Sequence, residues 1–428
     1  MPRAGWTKPR SDRRLSDLVS VGLLTKVFPP ELIDEVIAST GKREQRKRSL
    51  PARVVVYFAI GMALYADGSY EDVLAQLTDG LAWATQWEDS WRLPSKSAIF
   101  QARARLGASP LEAAFRAAAA PLATSGTEGS FLAGRRLLAI DGICLDVADT
   151  EENSAHFSRP GVNKGERAAF PQARVVGLVE CATHAVVDAV VGPYSTAEVV
   201  LADELLARLT PGTLLLADRG FYGYHRFEAA RATGADLLWR VRSLTKPTHV
   251  ATLADGSWLA EIRPSGSQGR KATPTTVRVI DYTVDDGRGK EHEAYRLFTT
   301  LLDPDEAPAH ELAHAYAQRW EIELAFDELK THQRGPRTVL RSKSPDLVEQ
   351  EIWGQLCCHY AIRTLMADTA RHAGRDPDRV SFVAADASMA PQTGPSPPLA
   401  PADRTADRRS AARSLEATVG ERVVIQSV

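Results

Sequence analysis

The order of apolar segments between residues 135 and 242 constrains the fold of this chain more than any other feature. Short runs rich in β-branched residues predict β-strands, and two longer stretches with apolar residues at helical spacing predict α-helices. The predicted elements are three strands, a helix, a strand, a helix and a strand, at 135–149, 173–181, 185–193, 196–209, 213–217, 222–233 and 236–242. Because three strands precede the first helix, the sequence predicts a mixed α/β sheet and not a pure βαβ repeat.

The segments on either side differ in character. The first part of the chain is predicted to be helical, and its longest apolar run, Val54 to Ala66, is predicted to be a buried core helix. Strand-like runs separated by turn sequences predict a β-rich insertion, and two helices follow at 309–332 and 345–370. The predicted division is a helical N-terminal domain, a first part of the α/β core, the β-rich insertion, a second part of the core and a disordered tail, at 1–130, 131–245, 246–303, 304–385 and 386–428.

Composition and charge exclude several classes of protein. Hydrophobic residues make up 44% and charged residues 25% of the chain, which is ordinary for a globular protein. The formal net charge of -2 excludes a uniformly basic surface, although a local basic patch remains compatible with it. The four cysteines do not form a secreted disulfide framework. No Walker A loop is present, so no nucleotide cofactor is predicted.

The sequence also bears on location. The run from Val54 to Ala66 is shorter than the roughly 20 residues that a bilayer-spanning helix needs. The Arg-rich segment from Met1 to Arg14 has no apolar core of the kind that a signal peptide carries. We therefore expect a cytoplasmic protein without a membrane partner, and in a bacterium that compartment includes the nucleoid.

Two aspartates interrupt or follow buried strands. Asp218 comes directly after the strand at 213–217, and a carboxylate there points into the crevice where α/β folds bind ligands. A turn-forming aspartate before a glycine is the simpler interpretation. Asp141 interrupts an apolar strand, where a carboxylate must be buried or face a site. Gly142 beside it permits close approach of another backbone or of a ligand.

A third group of candidates lies on the helix predicted at 309–332. Four side chains fall within about 60° of one another at about 100° per residue: Tyr316, Arg319, Glu323 and Lys330. This face is either a solvated ion-pair surface or a site where the carboxylate binds metal and the cations hold phosphate oxygens. Asp327 lies close to the same face, so helix geometry alone does not choose between Glu323 and Asp327.

Carboxylates on two strands and a later helix suit a two-metal phosphoryl-transfer site. Mg²⁺ prefers oxygen ligands and binds through few carboxylates. Two ions about 3.5–4 Å apart activate the attacking oxygen and stabilise the leaving oxygen. The residues therefore favour this chemistry before any family is considered.

The segments that carry these residues resemble the motifs of one family. Residues 316–330, YAQRWEIELAFDELK, match the Y-x(2)-R-x(3)-E-x(6)-K signature of bacterial DDE transposases of the insertion-sequence-four family. The LLAIDG and LLLADRGFYGY segments resemble that family's two catalytic-aspartate motifs, in the expected order. The similarity covers about residues 14–385. The Pro-, Ala- and Arg-rich tail departs from the ordered helix expected of the family.

The resemblance implies an RNase H-like catalytic core with a β-rich insertion between the second aspartate and the glutamate. It implies a catalytic and metal-binding triad of Asp141, Asp218 and Glu323, with two Mg²⁺ ions that Mn²⁺ can replace. It thereby selects Glu323 over Asp327. The remaining signature residues, Tyr316, Arg319 and Lys330, would bind DNA phosphates.

The resemblance also implies a reaction and its partners. The family cleaves strands at the ends of its element with metal-activated water, and the freed 3′-hydroxyl then attacks target DNA. Double-stranded DNA, both as transposon ends and as target, is therefore the expected partner. Because two ends must be brought together, we expect a homodimer on DNA.

Basic residues in the helical N-terminal segment suggest where DNA binds. Residues 42–48 hold five basic side chains and one acid, and the helix at 95–106 carries further cations. A helix, a turn and a cationic helix are compatible with a DNA-reading unit, and a solvated helix pair is the alternative. The candidate contacts are Lys42, Arg43, Arg46, Lys47, Arg48, Lys96, Arg103 and Arg105.

Two other functions compete with transposition. The unusual tail suggests a decayed copy that binds DNA ends and inhibits transposition without catalysis. A stand-alone RNase H-like nuclease is the other alternative, and it would hydrolyse DNA without joining strands.

Overall fold

The computed structural model describes residues 22–46, 48–66, 68–85, 93–161, 168–266, 272–284, 294–333, 339–377, 380, 382, 385 and 423–425. The helices before the sheet are α1 (Pro30–Ser39), α2 (Ala52–Leu64), α3 (Tyr70–Thr85), α4 (Lys96–Leu106) and α5 (Ser109–Ala118). Local sequence explains their ends. Proline occupies the first turn of α1 and α5, where its missing N–H costs nothing. The Ser95 hydroxyl caps α4, which ends at Gly107 with a φ of 71°.

The described residues include an 11-stranded sheet, in which nine strands follow the order β4-β3-β2-β5-β6-β10-β9-β8-β7, while β1 pairs with β2 and β11 with β9. The strands are β1 (Phe131–Leu132), β2 (Arg135–Asp146), β3 (Gln172–Glu180), β4 (Val186–Pro193), β5 (Thr213–Ala217), β6 (Asp236–Val241), β7 (Thr248–Thr252), β8 (Trp258–Ile262), β9 (Thr275–Val284), β10 (Ala294–Thr299) and β11 (Val423–Ile425).

The centre of this sheet is mixed, as predicted. β2 pairs antiparallel with β3 and parallel with β5, and β5 pairs parallel with β6. In the order β4-β3-β2-β5-β6, neighbouring strands from β4 to β2 are antiparallel, and β5 and β6 run parallel to β2. This arrangement is an RNase H-like core. The prediction of an RNase H-like mixed α/β fold is confirmed.

The β-rich insertion continues the same sheet. β10 pairs with β6 through Phe298 and Trp239, and β9, β8 and β7 follow it outward. The four strands lie where the sequence placed them, but they form no separate layer. β11 pairs with β9, so three residues of the segment predicted to be disordered form a strand, while the rest of 386–428 lies outside the described residues.

Helices cover both faces of the sheet. The remaining helical segments are α6 (Glu151–Phe157), α7 (Glu198–Leu206), α8 (Tyr224–Ala232), α9 (Ala309–Ala317), a 3₁₀ turn (Gln318–Trp320), α10 (Glu321–Asp327), a π turn (Glu328–His332) and α11 (Pro345–His372). Side chains alternate along β2, so Leu138 and Ile140 pack with α7 and α8. Leu137 and Ala139 face the opposite core, which contains α10, α11 and the N-terminal helices.

The N-terminal helices reach the sheet through α11. The apolar helix α2 is buried on all sides, as the run from Val54 predicted. It crosses α11 at Gly354, where an added Cβ atom would lie 2.5 Å from the Ala59 carbonyl oxygen. A glycine is needed here because the two backbones approach too closely for a side chain. Among the described residues, no helix combines the length and apolarity required to cross a bilayer.

Candidate active site

The register of two parallel strands places the two predicted aspartates side by side. Ile140 of β2 pairs with Ala217, the last residue of β5, so Asp141 and Asp218 are the next residues on neighbouring strands. Asp141 remains in the sheet, opposite Gly177 of β3. Asp218 lies just beyond the end of β5. The structure therefore brings these aspartates to one place although they are distant in sequence.

Glu323 approaches the same place from α10. The Arg319 guanidinium lies between the acids, with Nη1 3.5 Å from Asp141 Oδ2 and Nη2 3.7 Å from Glu323 Oε1. Arg319 is only 6% exposed, whereas the Glu323 side chain is 51% exposed. We refer to Asp141, Asp218 and Glu323 as the acidic cluster.

The acidic cluster carries more negative charge than the protein neutralises. Burial raises the pKa of Asp141; the Gly142 N–H and Arg319 lower it, and Asp218 raises it further. Burial also raises the pKa of Glu323, with Arg319 opposing the shift and both aspartates adding to it. Asp141 and Glu323 therefore share one guanidinium, which leaves negative charge uncompensated by these contacts, and a bound cation would relieve the mutual repulsion.

The donor atoms of the acidic cluster fit a divalent metal ion. They are carboxylate oxygens, the ligands that Mg²⁺ and Mn²⁺ prefer. Asp218 Oδ1 is buried and has no hydrogen-bond partner in the described part of the chain, so it is available as a ligand. Within those same ranges, no three Asp, Glu, His or Cys side chains are close enough to hold one ion in this conformation.

The other signature residues occupy different environments. Tyr316 is 2% exposed, and its hydroxyl donates to the carbonyl oxygen of Ala217 over 3.5 Å. It therefore supports the end of β5 immediately before Asp218. Lys330 is exposed and lies in the π turn. A wider turn changes the angular position of Lys330 from the one predicted at about 100° per residue.

The helix predicted as continuous at 309–332 is interrupted by a 3₁₀ turn and a π turn, and its buried side makes several polar contacts. Glu321 Oε2 lies 2.6 Å from His184 Nε2. The Arg363 Nε atom donates to Glu328 Oε2 over 2.9 Å, and Gln355 donates to the Leu329 carbonyl oxygen. The 3₁₀ and π turns thus flank the turn that carries Glu323, a pattern common at functional sites.

Sequence reasoning missed this buried ion-pair network (His184, Glu321, Glu328, His359 and Arg363). Burial raises the pKa of Glu328, but Arg363, the His359 hydrogen bond and His184 lower it to about 2. Glu321 and Glu328 lie within the signature segment, but their partners are distant in the sequence. His184 lies in the turn between β3 and β4, and His359 and Arg363 lie on α11. A pattern within one helix cannot reveal such partners.

Five of the seven described residues that were predicted to contact DNA in the N-terminal segment share one groove. A cavity of about 430 Å³ is lined by Lys42, Arg43, Arg46, Arg48 and Arg105. Lys96 is exposed on α4, and Lys47 lies outside the described residues.

Arg103 does not belong to that surface. It is 0% exposed, and it donates to Gln350 Oε1 over 2.8 Å and to the Tyr70 hydroxyl over 2.6 Å. Its charge instead joins α4 to α3 and α11. The expectation that Arg103 contacts DNA is therefore corrected, because its donors are already used inside the protein.

An RNase H-like sheet that brings two aspartates and a glutamate together defines the class of DDE enzymes. The chain matches the family "Insertion element 4 transposase N-terminal" over residues 18–116 and the family "Transposase DDE domain" over residues 132–361. It is 32% identical over 381 residues to the transposase InsG for insertion sequence element IS4 of Escherichia coli K12, covering 87% of this chain and 82% of that protein. The chain belongs to the insertion-sequence-four family of DDE transposases.

Two further similarities were found. The protein InsZ of Escherichia coli K12 is 26% identical over 229 residues, which cover 54% of this chain and 74% of InsZ. A cryo-EM structure of a piggyBac transposase synaptic complex with hairpin DNA aligns with 91% of this chain and 82% of its own, at 11% identity and a TM-score of 0.41.

The family assignment confirms the predicted DNA transposase enzyme, and a DDE domain implies the use of divalent metal ions. The alternative of an inhibitory remnant is not favoured by the matches to the transposase families and to InsG.

Proposed function

We propose that Asp141, Asp218 and Glu323 are the catalytic residues and that they hold two Mg²⁺ ions, which Mn²⁺ can replace. The observation that carries this proposal is the register of β2 and β5, which puts two aspartates side by side beneath the helix of Glu323. The uncompensated charge and the unpaired Asp218 Oδ1 atom support it. Bound ions would supply the Lewis acidity that phosphodiester displacement requires.

The proposed reaction has two displacements at phosphorus. Water attacks a phosphodiester at the end of the element, and the 3′-oxygen leaves as a hydroxyl. That 3′-hydroxyl then attacks a phosphodiester of target DNA and expels the target strand's 3′-oxygen. Each step exchanges one P–O bond for another, so no energy cofactor is needed.

Signature residues outside the acidic cluster would hold the DNA backbone. Arg319 is charged and buried beside the acids, with an Nε atom that has no partner among the described residues. It would donate to nonbridging phosphate oxygens at the cleaved bond. Lys330, exposed one π turn further on, would bind a neighbouring phosphate. Tyr316 would hold the end of β5 and reach the DNA only if its hydroxyl leaves Ala217.

The basic groove is proposed to hold the terminal inverted repeats. Its side chains line one cavity from the 42–48 segment and from α4, which brings several cations together where a phosphate backbone could bind. Lys96 and Lys47 would extend this surface, giving proposed contacts at Lys42, Arg43, Arg46, Lys47, Arg48, Lys96 and Arg105. We further propose a homodimer that pairs two element ends, acting at the nucleoid in the cytoplasm.

The test is a cleavage assay on linear DNA that carries the element's inverted repeats. Wild-type protein should nick the ends with Mg²⁺ or Mn²⁺ and not with EDTA. Glu323→Gln should bind this DNA in a mobility-shift assay and give no product. Asp327→Asn is the matched control, and it should still cleave. End binding by the wild-type protein without cleavage under any metal condition would contradict the proposal and favour the inhibitory remnant.

A further inference from the structure

Glu198, the first residue of α7, lies against the strand that carries Asp141. A Cβ atom built on Gly142 would overlap Glu198 Oε1 and would lie 3.0 Å from Glu198 Cδ. The Glu198 carboxylate therefore occupies the space where a side chain at position 142 would be. This contact is adjacent to the acidic cluster but comes from the opposite layer of helices.

A glycine is needed at position 142 because of this contact, and not because the backbone there adopts an unusual conformation. Gly142 is absent from the glycines with positive φ in the described part of the chain, so another residue would fit its backbone. A side chain at position 142 is excluded because Glu198 occupies the space that its Cβ atom would take. Glycine inside a strand commonly marks such a close approach.

Glu198 is partly buried and lies near the Asp141 carboxylate. Burial raises the pKa of Glu198 and the Asp141 carboxylate raises it further, with Arg174 opposing both. Arg174 is engaged elsewhere, donating to the Thr196 carbonyl oxygen over 3.0 Å and lying 5.0 Å from the Tyr194 ring centre. An acid at a helix start ordinarily faces solvent, and that role would not require a glycine at position 142.

The other side of Asp141 offers a second unpaired acceptor. Asp218 Oδ1 is buried and has no hydrogen-bond partner among the described residues. Asp218 follows β5, next to Asp141 on β2. Carboxylate oxygens on two neighbouring strands are thus supplemented by the Glu198 carboxylate, which lies against the strand of Asp141, and carboxylate oxygens are the donors that a divalent cation prefers.

We infer that Glu198 is a fourth carboxylate of the metal site, helping to bind the divalent cation held at Asp141. This inference rests on the proposed function. Leu201 and Leu205 of α7 pack in the core on one side of the sheet, whereas Ile322 of α10 packs on the other. Glu198 and Glu323 would therefore enclose the cation from the two faces of the sheet, with Asp141 between them.

The test is a calorimetric titration of Mn²⁺ into the full-length protein without DNA, which measures binding and not activity. Glu198→Gln keeps the shape of the side chain and removes its charge, and it should raise the Kd for Mn²⁺ about 10-fold or more. Glu204→Gln, an exposed acid on the same helix, is the matched control and should bind as wild type does.

A second variant tests whether the position of the Glu198 carboxylate matters as well as its charge. Gly142→Ala should displace Glu198 and weaken Mn²⁺ binding by a similar factor, and adding Glu198→Gln to it should cause little further loss. Unchanged Mn²⁺ affinity in Glu198→Gln, with binding abolished in Asp218→Asn, would overturn the role of Glu198 and leave the acidic cluster intact. A wild-type protein without saturable Mn²⁺ binding would overturn the proposed metal site together with this inference.

Discussion

Replacing Arg363 with methionine removes the main partner of the buried Glu328 carboxylate, which follows α10 directly. Arg363 is 1% exposed and Glu328 is 3% exposed. The guanidinium donates to Glu328 through Nε and Nη2, and Nη2 lies 2.7 Å from His184 Nδ1. In Arg363→Met, the Glu328 carboxylate loses both guanidinium contacts and keeps the contact with His359, whose Nε2 atom lies 3.3 Å from Glu328 Oε2.

The expected loss follows from leaving one charge of a buried pair uncompensated. Removing a single partner of such a pair costs about 3–5 kcal/mol. Methionine fills much of the space of the arginine stem, so the cost is mainly electrostatic. The double variant Arg363→Met with Glu328→Met removes both charges, and most of the lost stability should return because an apolar replacement of a buried pair is often nearly neutral.

Equilibrium urea denaturation followed by circular dichroism would measure this loss. Arg371→Met is the matched control on α11, since that side chain is 49% exposed and pairs with Asp368 at the surface; it should cost under about 1 kcal/mol. The reasoning is refuted if Arg363→Met stays within about 1 kcal/mol of wild type, or if the double variant is less stable than the single one.

Three other outcomes test separate parts of the structure. Gly354→Ala should lower the free energy of unfolding in urea by about 1–3 kcal/mol, because its Cβ would meet the Ala59 carbonyl; unchanged stability would contradict that contact. The stabilisation from Glu328 is present above its ordinary pKa of 4.5 and is lost as the pH falls through about 2; acid titration should show this loss, and Glu328→Gln should flatten it. Arg105→Gln should weaken DNA binding and reduce the slope of log K against log salt by about 1; an unchanged slope would remove Arg105 from the DNA surface.

Much of the fold was predictable because its signals are local. The apolar strand at 213–217 and the buried helix from Val54 are visible in short windows of sequence, and both were correct. The joining of β10 to β6 was not predictable, since strand pairing depends on contacts between distant segments that no local period encodes. The same limit applies to β11, whose three residues pair with β9 although the sequence around them has no apolar periodicity.

Residues of the candidate site could be predicted where an acidic residue stands at a buried strand. They could not be predicted where a side chain's role depends on a partner that is distant in the sequence. Asp141 and Asp218 stood out because each places a carboxylate at a buried strand. Arg103 was misjudged because its partner Gln350 lies on α11, so its helix alone suggested a solvated cation. The contact between Gly142 and Glu198 was missed although Gly142 was recognised as a point of close approach, because the sequence does not say what approaches it.

The central claim is that three carboxylates from separate elements share divalent cations, and metal-directed cleavage of the polypeptide tests it most directly. Fe²⁺ would be bound in place of Mg²⁺, and ascorbate with peroxide would then generate radicals that cut the backbone near the ion. The account predicts cuts close to Asp141, Asp218 and Glu323, suppressed by excess Mg²⁺ and absent in Asp218→Asn. Cuts at only one of these positions, or cuts that Mg²⁺ does not suppress, would contradict it.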